Sequence, residues 1–325
     1  MQRDDLADLL IDSAALRLGT SWREIKRRVE AGDLVPVHRG SYASGPAVRG
    51  LRREQQHLLR VLAVTRAERT DNSVISHVSA AAVWGLPLYG GAPTAVHRTL
   101  RHSLEAHSGA SVVRHRDSLA EVDVAEFDGI RCTSLERTVV DVARSTPLRT
   151  AVCAADAALR RVAWDDRARR YDVESAEIFK DGLRSRVAAM AGGRGVRQAR
   201  HVIEFADGRA QLPGESVSRV LLHELGFTDI QLQVPISNGR GGYFYVDFGL
   251  EEADAWGEFD GMGKYLDPAM SGNRTPRDVL QIEKEREDWI RAKTVRPIAR
   301  WSFDHLGSAS ALRRRLAVYS IRTPR

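Results

Sequence analysis

The acids between Tyr243 and Lys264 are spaced for metal chemistry. The run Tyr243-Phe244-Tyr245-Val246-Asp247-Phe248-Gly249-Leu250 alternates aromatic or β-branched residues with others. Glycines bound it on one side and acids on the other, which predicts a strand. Asp is disfavoured inside a strand, so Asp247 is expected to be kept there by a role. A second short strand at about 254–260 carries Glu258 and Asp260, which a period of two turns to the same face. Carboxylates that meet from two neighbouring strands suit a hard divalent cation, Mg²⁺ or Mn²⁺, with waters completing its shell. Asp247 and Glu258 are the expected metal ligands. Lys264 follows closely enough to stabilise developing negative charge or to orient a water. Glu251, Glu252 and Asp254 read as a solvated edge.

Those acids need elements to hold them. A polar connection at 206–212 is expected to open the last of three domains, 206–325. Residues 213–222 predict a helix with Glu215 in its first turn and Val217, Val220, Leu221 and Leu225 on its apolar side. A strand at 230–236, a loop at 237–242 and the two acid-bearing strands follow. A helix at about 277–292, presenting Glu283, Lys284, Arg286 and Glu287, precedes a closing strand at 295–301. The order α-β-β-β-α-β, with acids on the first helix and on the second and third strands, resembles the PD-(D/E)XK nuclease core. More narrowly it is similar to the relatives of the very-short-patch-repair endonucleases. The matching residues are Glu215, Asp247, the run Glu258-Phe259-Asp260-Gly261 with Lys264-Tyr265 behind it, and Glu283-Lys284 with Arg286-Glu287. The resemblance implies a metal-dependent endonuclease. Asp247 and Glu258 would hold Mg²⁺ or Mn²⁺, Glu215 would orient the hydrated metal, and Lys264 would serve the nucleophile or the charge. Asp260 stands where the wider pattern has a Lys, and Lys264 or Arg286 is expected to take its place in space.

The N-terminal region, 1–48, predicts another kind of module. Leu6, Leu9, Leu10, Ala14, Leu16 and Leu18 give one or two short helices ending at Gly19. Ser21-Trp22-Arg23-Glu24 is a capping box for a helix whose buried stripe is Trp22, Ile25 and Val29. After Gly32, residues 34–43 read as a two-stranded ribbon turning at Arg39-Gly40. Helix, turn, helix and ribbon predict a winged helix-turn-helix. Arg23, Lys26 and Arg27 on its second helix, with His38 and Arg39 at the ribbon tip, suit DNA phosphates and guanine edges. Gly19-Thr20-Ser21-Trp22, Gly32-Asp33-Leu34-Val35 and Arg39-Gly40-Ser41-Tyr42 resemble the N-terminal winged helix of the AbiEi-type antitoxins of type IV toxin–antitoxin systems. That resemblance implies operator DNA and a cognate toxin as partners. It also sets a rival beside the endonuclease: a non-catalytic regulator that keeps the nuclease fold as a scaffold.

Between these modules, 49–205 reads as mixed α/β and helical. Residues 51–67 predict a helix, and Ser76-His77-Val78-Ser79 opens a short one stopped by Gly85 and Pro87. This segment too resembles AbiEi-like proteins, and His77 reads as a cap or packing residue. His97, His102 and His107 are five apart, which matches neither a helix face nor a strand face, and with Arg98 and Arg101 they predict a basic loop. Thr133-Ser134-Leu135-Glu136 reads as a capping box for the helix carrying Val139, Val140 and Val142, which leaves Glu136 and Asp141 without a catalytic role. The glycine-rich run 191–195 lacks the Gly-Lys-Ser/Thr ending of a phosphate loop and reads as a turn.

Composition agrees with an α/β (α+β) multidomain chain. The 325 residues fit two or three domains, and 43% hydrophobic with 28% charged is the balance of a soluble globular protein. A net charge of +6 is compatible with a polyanionic partner. Cys132 and Cys153 form no CxxC, so zinc and disulfides are not indicated and both read as buried thiols. No stretch approaches the roughly 20 apolar residues of a membrane span. The N-terminus lacks the apolar core of a signal peptide, so no membrane partner and a cytoplasmic location are expected.

Overall fold

The computed structural model describes residues 3–67, 73–91, 93–100, 108–261 and 276–324. Arg101, His102, His107 and Lys264 lie outside the described residues. The chain divides into two compact units, Met1–Val162 with Val173–Ala206, and Ala163–Asp172 with Asp207–Arg325. Each mixes helices and sheet, so the fold is α+β and multidomain. Among the described residues no helix is long and apolar enough to cross a membrane.

The first unit opens with α1 (Arg3–Asp8), β1 (Ile11–Asp12), α2 (Ser13–Gly19), α3 (Trp22–Glu30), β2 (Leu34–His38) and β3 (Ser41–Ser44). The strands make an antiparallel sheet in the order β1-β3-β2. Local chemistry sets these ends. Asp12 caps α2 by accepting from Ala14 N at 2.7 Å, and Ser21 caps α3 by accepting from Glu24 N at 3.3 Å. The ribbon turns at Gly40, whose φ of +78° a residue with a Cβ would resist. Two expectations are corrected. The Glu24 carboxylate grips Arg27 at 2.6 and 2.8 Å. Trp22 is 62% exposed, while Ile25 alone in its helix is fully buried. Side chains of a helix lean toward its N-terminus, so a ring on the first residue projects past the end of the element.

After α4 (Gly45–Arg49) and α5 (Arg53–Ala67) comes a mixed sheet of β4 (Ser73–Ile75), β5 (Val96–Leu100), β6 (Val112–Arg116), β7 (Val124–Phe127) and β8 (Ile130–Thr133), ordered β6-β5-β4-β8-β7. Leu59, Val61 and Val64 of α5 pack with Ile75, Val96, Val112 and Ile130 in its core. α6 (His77–Val83) lies between β4 and β5 in sequence, and α7 (Leu135–Ser145), α8 (Leu148–Ala163), α9 (Val173–Ala189) and α10 (Val196–Phe205) complete the helical part. His97 and Arg98 sit in β5, paired on both sides, and do not form a basic loop. Val96, Thr99 and Leu100 suit a strand, and two neighbours in the sheet settle it. The cap of α7 is Ser134, accepting from Arg137 N at 3.3 Å, while Thr133 bonds Thr138 at 2.7 Å. Both thiols, Cys132 and Cys153, are free and buried.

In the second unit α11 (Pro213–Glu224), β11 (Ile230–Ser237), β12 (Tyr243–Leu250), β13 (Ala255–Phe259), α12 (Pro276–Thr294), β14 (Ile298–Trp301) and α13 (Ala309–Val318) follow in order. The hairpin of β9 (Trp164–Asp165) and β10 (Arg170–Tyr171) belongs to the same unit. The sheet runs β11-β12-β13-β14, antiparallel for the first two pairs and parallel for the last. A parallel pair needs a crossover, and α12 supplies it. Gly214 is required at the start of α11: a Cβ there would lie 2.0 Å from the Phe259 ring. That close approach brings the helix carrying Glu215 against β13.

Candidate functional site

Strand register decides where the acids of the second unit meet. β12 and β13 pair Phe248 with Gly257. Asp247 and Glu258 are the next residues along the two strands, and both line one cleft. Asp247 is held by two neutral donors. Phe259 N donates to its Oδ2 at 2.8 Å and Gln233 Nε2 to its Oδ1 at 3.3 Å. The same Gln233 nitrogen donates to Glu215 Oε2 at 3.2 Å, which also accepts from Gln211 N at 2.9 Å. Glu215 is 1% exposed, and a buried carboxylate depends on such donors. One glutamine thus ties α11, β11 and β12 together.

Gln233 is the residue that sequence reasoning missed. It is buried, has a φ of +51°, and falls between the paired residues Leu232 and Val234 of β11. The available signal was the alternation of Gln231 and Gln233 within an apolar run. Nothing local says which of the two turns inward.

Glu258 has charged partners instead. Arg286 Nη2 lies 2.8 Å from its Oε1 and Arg300 Nη2 lies 3.0 Å from its Oε2. Arg300 also reaches Glu287 at 3.0 Å, and Arg286 donates to the Tyr245 carbonyl. Glu258 Oε1 is buried and has no partner in hydrogen-bond geometry. Asp260 lines the same cleft, half-buried, with its N–H donated to Trp301 O at 2.8 Å. Arg169 of the β9–β10 hairpin lines it too and stacks over Tyr245 at 4.3 Å.

This donor set is all oxygen, which fits Mg²⁺ or Mn²⁺ and not a soft metal. Among the described residues no three His, Cys, Asp or Glu side chains form a metal cage. A cation here would rest on Asp247, Glu258 and waters, the arrangement Mg²⁺ commonly accepts. Arg286 Nη2 lies 2.8 Å from Glu258 Oε1, so a cation on that oxygen would compete with the guanidinium.

The predicted DNA-contacting residues occupy two places in the first unit. Arg23 and Lys26 are exposed on α3, Lys26 lying 3.8 Å from Glu30. Arg27 is exposed but committed to Glu24, whose hydrogen bond raises the Arg27 pKa. His38 and Arg39 line a shallow cleft with Ser13, Gly40 and Arg66. Arg66, near the end of α5, is a cation the sequence did not connect to the ribbon.

No family model matches the chain. It is 27% identical over 247 residues to two proteins of Mycobacterium tuberculosis, the uncharacterized protein MT2308 of strain CDC 1551 / Oshkosh and the uncharacterized protein Rv2248 of strain ATCC 25618 / H37Rv. The matched stretch covers 76% of this chain and 81% of either relative. Among solved structures it is similar to the crystal structure of the RV2827C protein from Mycobacterium tuberculosis. There the TM-score is 0.35 and the identity 13%, over 62% of this chain and 79% of that one.

Proposed function

We propose that this chain is a DNA-binding protein whose second unit carries a Mg²⁺- or Mn²⁺-dependent endonuclease centre. One observation carries the reading: Asp247 of β12 and Glu258 of β13 line one cleft, with Glu215 tied to Asp247 through Gln233. Asp247 and Glu258 would hold the cation, which when bound supplies a Lewis acid and a water of lowered pKa. The chain's own residues orient and receive. Gln233 and Phe259 N–H fix the Asp247 carboxylate, and Glu215 fixes Gln233. Arg169, Arg286 and Arg300 are the cleft cations against which a phosphodiester would lie. Asp260 belongs to the same centre in this reading, and Lys264, outside the described residues, is proposed from the sequence alone to serve the nucleophile or the charge.

The winged-helix reading of the first residues is supported by the order α1-β1-α2-α3-β2-β3 and by the exposed Arg23, Lys26 and Arg39. These would contact phosphates, with His38 beside them at the ribbon tip. A specific observation favours the rival, an AbiEi-like regulator paired with a toxin. Two arginines already neutralise Glu258, and Asp260 replaces the usual Lys. Plasmid nicking separates the two readings. Mg²⁺-dependent cleavage by the parent protein, lost in Asp247→Asn and Glu258→Gln, supports the enzyme. Tight DNA binding with no cleavage in either metal leaves the regulator.

A further inference from the structure

A second cleft, in the first unit, uses none of the residues invoked above. Its floor is the start of α6, strand β6 and helix α7, lined by His77, His115, Asp117, Asp141 and Arg144. Beneath it Arg137, 1% exposed, binds Asp141 at 2.9 Å, Asp117 at 2.6 Å and Asp123 at 3.4 Å. Arg144 adds a contact to Asp117 at 3.4 Å and Arg186 one to Asp123 at 2.8 Å. Three guanidiniums against three carboxylates leave this set without net charge.

One buried oxygen remains over. Asp141 Oδ1 takes the Arg137 Nε–H, but its Oδ2 has no hydrogen-bond partner although Asp141 is 1% exposed. The nearest ring nitrogen, His77 Nδ1, is 3.8 Å away, beyond hydrogen-bond reach. That nitrogen is engaged with Ser76 Oγ at 3.0 Å, and Ser76 in turn accepts from Thr99 at 2.8 Å. His77 is held there at a φ of +54°, a conformation that side chains other than Gly rarely adopt and that its surroundings must impose. Its ring stacks on His115 at 3.6 Å, and His115 shares a hydrogen bond of 2.9 Å with His97. Burial first, then His115, His97, Arg137 and Arg144, keep the His77 pKa well below its ordinary value, so the ring stays neutral. A buried acceptor of this kind costs stability unless something donates to it.

The open side of the cleft differs in charge. Arg116 and Arg194 line it, are exposed, and stand outside the balanced set. The cleft therefore offers two cations at its rim and an acceptor at its floor.

We propose that this cleft binds a phosphate monoester bearing a hydrogen-bond donor, the chemistry of a sugar phosphate or a mononucleotide. The dianionic phosphate lies against Arg116 and Arg194, and a ligand hydroxyl or N–H donates to Asp141 Oδ2. Inorganic phosphate, ribose 5-phosphate and GMP, titrated calorimetrically into the full chain, test this without reference to DNA cleavage. The organic esters bind about tenfold or more tighter than inorganic phosphate, because only they satisfy the floor. A preference for GMP over ribose 5-phosphate assigns the site to nucleotides, and equal binding assigns it to the sugar phosphate. Arg116→Ala with Arg194→Ala, two exposed positions, abolishes binding of all three. Asp141→Asn keeps the Arg137 contact, puts a donor where the acceptor was, and lowers affinity for the organic esters alone. Absence of binding by any probe overturns the proposal, as does unchanged affinity in the double arginine variant. The arginine pair keeps the test decisive if Asp141→Asn fails to fold.

Discussion

In the second unit the buried Glu215 accepts from a backbone amide and from Gln233, and Asp247 accepts from Phe259 N–H and the same glutamine. In the first unit Asp141 shares one guanidinium with Asp117 and Asp123 and keeps an oxygen that nothing donates to. Both centres bury carboxylates, yet they are satisfied by different chemistry. Amide donors fix the direction of the Asp247 carboxylate, while Arg286 and Arg300 ion-pair Glu258 in the same cleft, so a cation there would meet guanidiniums as well as acids. Guanidinium donors cancel the charge, so the cleft of Asp141 is left with the positive rim of Arg116 and Arg194 and is suited to an anion.

Removing the donor of the first unit should have the largest effect. Arg137→Met leaves three carboxylates without their common partner and is expected to lower stability by about 3–5 kcal/mol. Chemical denaturation with a probe in the first unit measures it, and a loss below about 1 kcal/mol would show that the network is not what holds α7.

Acid should unfold the first unit before the second. Burial lowers fully buried His57 and also His97 to about 4, and lowers His77 and His115 as well. From the ordinary 6.5 down to about 4 the unfolded chain binds protons that folded His57 and His97 refuse, and His77 and His115 act in the same direction. Their contribution is complete above pH 6.5 and is lost as pH falls through that window. Asp141, raised by burial to about 6, works in the opposite sense between 3.8 and 6 and offsets part of the loss. Four imidazoles against one carboxyl give net destabilisation, on the order of 3 kcal/mol from His57 alone. A melting temperature that stays constant from pH 7 to pH 5 contradicts this.

The neutral donor of the second unit should matter less for stability and more for chemistry. Gln233→Leu strips one donor from Glu215 and one from Asp247 and is expected to cost about 1–3 kcal/mol. Any metal-dependent cleavage should fall in the same variant, whereas cleavage at the parental rate would detach Gln233 from the centre.

Smallest in stability are the surface cations. Arg23→Ala and Arg39→Ala should stay within about 0.5 kcal/mol of the parent. Each should lower duplex affinity and reduce the salt dependence of binding by about one unit of slope. Gel-shift titrations at two ionic strengths check this, and an unaltered double variant removes α3 and the ribbon from the DNA interface.

How much of this was legible depended on the range of the signal. Ser21 as a cap, the glycines at 32 and 40, the helix at 213–224 and the strand at 243–250 are read from residues within a few positions of one another, because caps, turns and pleats are local. Glu215, Asp247, Glu258 and Asp260 stood out for the same reason, as acids at the ends of apolar runs. The sequence by itself therefore determined these elements and which of them carry acids. Only tertiary structure decided what each acid meets. Glu258 faces Arg300 because β13 and β14 pair in parallel after a long crossover, and Asp247 faces Gln233 because of the β11–β12 register. His77, His97, His115 and Asp141 come together from four separate elements, α6, β5, β6 and α7, which no local spacing joins. Cross-strand and cross-element neighbours are fixed by sheet order and core packing, and those free energies are summed over residues far apart in the chain.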